Sequence, residues 1–119
     1  MRMLIVAAGL ALLVAAPAAL AKERNLQLLG TATSAKQGRA WNVTISVKVD
    51  GKLVPGKTPA VRIISSTGRV LTMPSHATER LGIYRAAVVF PRAGTWRVIV
   101  IDRENGRAYE FGRMRVLAA

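Results

Sequence analysis

The chain has 119 residues, with 18 Lys and Arg against 6 Asp and Glu, for a formal net charge of +12. The absence of Cys excludes disulfides, thiol catalysis, a thiolate metal site and acylation at a lipoprotein cysteine. Stability must therefore come from packing, and the positive charge makes anionic partners the first class to consider.

Residues 1–21 read as a targeting segment. Arg2 gives a positive start and Leu4 to Val14 an apolar run. Pro17 then breaks the run, and Ala19-Leu20-Ala21 places small residues where a signal peptidase reads. The apolar run is near the lower limit of about 17 residues for a spanning helix and carries a proline. Cleavage after Ala21 is expected, with no transmembrane segment in what remains. Residues 22–119 then form one exported domain, periplasmic or extracellular. A domain of this size buries roughly 60–68% of its unfolded surface without staples. Export argues against nucleic acid as the natural ligand and leaves a protein partner or an anionic cell-envelope surface.

Lys22 to Arg24 is a charged leader expected to fray at its start. Leu26 to Thr33 predicts a first, edge-like strand, and Gln37-Gly38 a turn. From Trp41 to Val49, apolar residues alternate with Asn42, Thr44, Ser46 and Lys48, the pattern of a strand with one buried face. Asp50-Gly51 and Pro55-Gly56 punctuate the following loop. Ala60 to Ser65 and Arg69 to Met73 predict two short strands around a Ser66-Thr67-Gly68 turn. Pro74 to Gly82 reads as a polar loop. Tyr84, Ala86, Val88 and Phe90 then share one phase of a two-residue period, as do Trp96, Val98 and Val100 after a Pro91-Arg92-Ala93-Gly94 turn. Asn105-Gly106 is a short hairpin signal, since both residue types tolerate positive φ. Ala108 to Leu117 is the last strand.

Seven short strands and no 3.6-residue period after the targeting segment predict an all-β, immunoglobulin-like β-sandwich, with a small barrel as the alternative. In that sandwich the third, sixth and seventh strands share a sheet. Arg62, Arg97 and either Arg113 or Arg115 would line its outer face as a cationic patch. Trp41, Tyr84 and Trp96 share the phase of the aliphatic core positions, so they are expected to pack inside.

Gly82-Ile83-Tyr84, the Pro-and-Gly turn, Gly94-Thr95-Trp96 and the Asp50 to Gly56 loop resemble the YtkA-like and FixH-like group of small exported bacterial domains, over roughly Ala40 to Val100. Related sandwiches include copper-resistance proteins of the CopC type. The resemblance implies an immunoglobulin-like domain outside the cytoplasm, and for some relatives copper delivery or oxidase assembly. The stretch where such relatives place Met and His corresponds to Thr72-Met73-Pro74-Ser75-His76. A thioether and an imidazole suit copper. Two ligands fall short of a usual set, and Met114 could add a third only if the last strand lies beside this loop.

No residue pattern signals catalysis. Ser75 and His76 are adjacent, so in an extended chain they face opposite ways. No HExxH occurs, and the carboxylates are scattered among turns. The expected function is non-catalytic recognition of a protein partner or an anionic surface, without a cofactor. A copper-handling accessory role through Met73 and His76 is the alternative.

Overall fold

A computed structural model of the chain describes residues 24–29 and 34–119. The expected signal peptide, residues 1–21, and the end of the first predicted strand lie outside these.

The strands are β1 (Arg24–Leu29), β2 (Ser34–Lys36), β3 (Ala40–Val49), β4 (Lys52–Leu53) and β5 (Ala60–Ser65), followed by β6 (Val70–Pro74), β7 (His76–Ala77), β8 (Ile83–Val89), β9 (Gly94–Ile101) and β10 (Ala108–Leu117). They form two sheets. The first runs β1-β3-β8-β7, with β4 also on β3; the second runs β2-β10-β9-β5-β6. All pairings are antiparallel except β2 with β10. The described residues are thus all-β in two sheets, as an immunoglobulin-like sandwich requires.

Among the described residues ten strands form rather than the expected seven, with a counterpart for each of the seven. The expectation missed β2, β4 and β7, which hold two or three residues each and are too short for a period to declare itself. The chain pairs with β3 as β1 in one sheet, then with β10 as β2 in the other.

Alternation builds the core. Ile45, Val88, Val61, Ile63 and Phe90 are fully buried, and Trp96 and Tyr84 nearly so. Each large aliphatic or aromatic side chain removed from water contributes roughly 1.5–3 kcal/mol. Phe90 sits between Trp41 and Trp96, with ring centroids 6.0 and 5.7 Å away, the second edge-on. The Trp96 indole donates to the Arg92 carbonyl at 3.0 Å, which ties the turn before β9 to the core.

Two turn details depart from expectation. Asp50 and Gly51 both have positive φ, at 52° and 80°, and join Val49 directly to Lys52. The type I′ requirement is therefore met there. Asn105 has no positive φ, and Asn105-Gly106 belongs to a longer turn. In that turn the Asp102 N–H donates to the Arg107 carbonyl at 2.8 Å, and the Gly106 N–H to the Asp102 carbonyl at 2.7 Å.

The start of the expected charged leader, Lys22 and Glu23, lies outside the described residues. Arg24 opens β1, and its guanidinium is bound to the buried Asp102 carboxylate at 2.7 Å.

Candidate functional site

A bulge in β10 decides what faces outward on the second sheet. Glu110 pairs with Ile99, but Gly112, not Phe111, pairs with Val98. The extra residue, Phe111, shifts the alternation by one. Before it, Tyr109 packs on the core; after it, Met114 and Val116 are buried. Arg113 and Arg115 are consequently exposed on the outer face.

The register then locates the other cations. Arg97 stands directly opposite Arg113. Arg62 on β5 is opposite Ile99, one step further along β9 on the same face. Lys36 on β2 is opposite Leu117, one step beyond Arg115. Lys36, Arg97, Arg113 and Arg115 are exposed and Arg62 is half-buried. Ile99 is only 7% exposed although it faces outward, as expected of an apolar residue flanked by long polar side chains.

The structure therefore brings Arg62, Arg97, Arg113 and Arg115 onto one face, with both Arg113 and Arg115 outward rather than either alone. Lys36 was not legible as a member because β2 is so short. The outer face of the first sheet is different: Asn25, Gln27, Asn42 and Thr44 dominate it, with Lys48 and Arg85 as cations among the paired positions.

One carboxylate interrupts the cationic face. Glu110 accepts from Arg97 Nη2 at 2.7 Å and from Nε at 3.3 Å. That hydrogen bond holds the Glu110 carboxyl below its usual range, and nearby Arg113 acts in the same direction. Arg62 Nε donates to Thr72 Oγ1 at 3.3 Å, fixing the guanidinium over the β5–β6 pair.

Met73 and His76 are not brought together. Met73 is opposite Val61 on β6 and packs against the core, whereas His76 is exposed on β7 opposite Arg85 in the other sheet. Met114 is buried beneath β10 and adds no ligand to His76. Among the described residues no group of three or more His, Cys, Asp or Glu could hold a metal ion.

The carboxylates near the β9–β10 turn have structural partners. Asp102 is 1% exposed, binds Arg24 and accepts the Glu104 N–H at 2.9 Å. Glu104 accepts the Lys57 N–H at 3.1 Å. Ser75 is buried and its hydroxyl donates to the Pro59 carbonyl, while the adjacent His76 is exposed.

Comparison with known proteins yields the fold. No family model matches the chain, and no curated protein matches it. The filamin domain of Lin-41 superposes with a TM-score of 0.62 at 13% identity, covering 76% of this chain and 90% of that domain. Trypsin-activated alpha-2-macroglobulin from Escherichia coli matches with a TM-score of 0.57 at 19% identity, over 75% of this chain. Salmonella alpha-2-macroglobulin reacted with methylamine gives 0.58 at 20% identity, over 78% of this chain. The chain spans 6% of the length of either macroglobulin. The neighbours are immunoglobulin-like and filamin-type β domains, and the YtkA-like and FixH-like resemblance is supported only to that depth.

Proposed function

We propose that this chain is an exported, non-catalytic binding domain that docks on a negatively charged partner through the outer face of its second sheet. The observation that carries this reading is the register that sets Lys36, Arg62, Arg97, Arg113 and Arg115 on one face with a single intervening carboxylate, Glu110. The engagement of Asp102, Glu104 and Glu110 in structural contacts supports a role without acid–base chemistry. The apolar Leu4 to Val14 run and the small residues before Lys22 support export.

Magnitudes fit a moderate, salt-sensitive interaction. A Lys or Arg near an anionic surface contributes about 1 kcal/mol and loses it beyond a Debye length. Such a face working alone gives a dissociation constant of order 0.1 mM at low ionic strength. Additional apolar contacts from Val70, Phe111 and Leu117, all exposed on this sheet, would tighten it.

The test is charge reversal at Arg97 and Arg113 together, with Lys52→Glu and Arg80→Glu as a control of equal net charge away from the face. Binding is measured by sedimentation with phosphatidylglycerol vesicles and by titration with linear polyphosphate. The face variant loses binding and the control keeps most of it. Equal loss in both would reduce the effect to net charge and remove the face as a site.

A further inference from the structure

The cations are not scattered over the face; they follow an oblique line. Successive rows of the register place Lys36 on β2, Arg115 on β10, Arg113 on β10 with Arg97 opposite on β9, and Arg62 on β5. From Lys36 to Arg62 the line crosses three strand gaps and advances three rows, with Arg113 and Arg97 sharing one row. Neighbouring strands are about 4.8 Å apart and residues on one face about 7 Å apart along a strand. Crossing from β2 to β5 while advancing three rows gives a stripe of roughly 25 Å, with a positive charge every ~5–8 Å. Beside the stripe, the uncharged Ile64 and Val70 lie to one side at the row of Arg97, and Glu110 lies to the other at the row of Arg62.

From this placement we infer that the ligand of the face is a linear polyanion laid obliquely across β2, β10, β9 and β5. The inference rests on the reading above and adds the shape of the ligand. A compact anion would meet two guanidinium groups at most, and a planar anionic surface would respond to the summed charge rather than its alignment. A chain carrying a negative charge every few ångströms can neutralise the whole line, and each neutralised site adds to the salt dependence.

The experiment uses linear polyphosphates of graded length, inorganic phosphate and phosphatidylglycerol vesicles as probes, titrated against the purified protein. The decisive variant is Arg62→Ser with Val70→Arg. It keeps the net charge of the face but moves one cation off the end of the stripe. Val70 is half exposed on the edge strand β6, where an arginine is well tolerated. Circular dichroism and melting temperature verify that the variant folds. Affinity is expected to rise with chain length until the polymer spans about 25 Å, and the relocated charge lowers long-chain affinity about fivefold while vesicle binding is unchanged. Length-independent polyphosphate binding, or equal long-chain affinity in the relocated variant, overturns the linear ligand. Vesicle binding without polyphosphate binding also overturns it while leaving the anionic face intact. If the wild-type protein binds none of the probes, the broader reading fails with it.

Discussion

Arg24 and Asp102 lie 78 positions apart in sequence and share two hydrogen bonds, Nε to Oδ2 at 2.7 Å and Nη2 to Oδ1 at 3.1 Å. The pair joins β1 of the first sheet to the end of β9 in the second. Tyr109 reinforces the join, its hydroxyl donating to the Arg24 carbonyl at 3.3 Å. The partners are unequally placed: the Asp102 side chain is 1% exposed and that of Arg24 20%. Removing the arginine strands a buried carboxylate, and breaking such a pair costs about 3–5 kcal/mol. Removing Asp102 leaves a guanidinium that can still reach water. Arg24→Ala is therefore expected to destabilise more than Asp102→Asn, a difference that urea denaturation of the two variants measures.

Gly82 combines a φ of +75° with close packing. A Cβ there would meet Leu53 Cβ and the Val54 nitrogen at 3.0 Å and the Val47 carbonyl oxygen at 3.1 Å, two of the three being backbone. Gly38 has nearly the same φ, +76°, with open space around it. Gly38→Ala should cost about 1 kcal/mol from backbone strain alone, and Gly82→Ala at least twice that. Comparable melting temperatures in the two variants would show that the contact around Gly82 yields easily.

Met73 and His76 separate cleanly under truncation. Met73→Ala removes a half-buried side chain from the edge of the core and should cost about 1–3 kcal/mol. His76→Ala alters an exposed strand end and should stay within about 0.5 kcal/mol of wild type. Thermal unfolding reads both.

Glu110 acts as a brake on the cationic face because it occupies two donors of Arg97. Glu110→Gln should raise affinity for linear polyphosphate severalfold with little change in melting temperature, since the ion pair is exposed. Acid should act in the same direction. The folded-state pKa of Glu110 is depressed, so the pair's small stabilisation is complete above the ordinary glutamate range. It is lost as pH falls through the depressed value, and protonation then releases Arg97. Titration at falling pH, with the Glu110→Gln variant as reference, should show the two affinities converging.

The alternation of β3, β8 and β9 was legible because each has one face in the core and one in water, and that asymmetry is written in every second residue. The sheet containing Arg62, Arg97, Arg113 and Arg115 was legible for the same reason. What escaped was of two kinds. Strands of two or three residues, such as His76–Ala77, are defined by their neighbours' free hydrogen-bonding edges and carry no period of their own. Asp102 has the local appearance of a turn former, and only Arg24, distant in sequence, makes it a buried ion. The Phe111 bulge did leave a trace. Tyr109 and Phe111 have one parity and Met114 and Val116 the other, a conflict that a regular strand cannot satisfy if all four face inward.

The parallel pairing of β2 with β10 sets the order of events during synthesis. Ser34 to Lys36 find their partners only at Arg115 to Leu117. A chain synthesised at about 5–20 residues per second therefore carries that early strand without its ladder until Arg115 to Leu117 are also free to fold. Closure of the second sheet is consequently a late step, and its long sequence separation places the domain among the slower folders. Until then the β9 edge that β10 will occupy stays open, so the interval before closure is when the chain is most exposed to pairing with a neighbour.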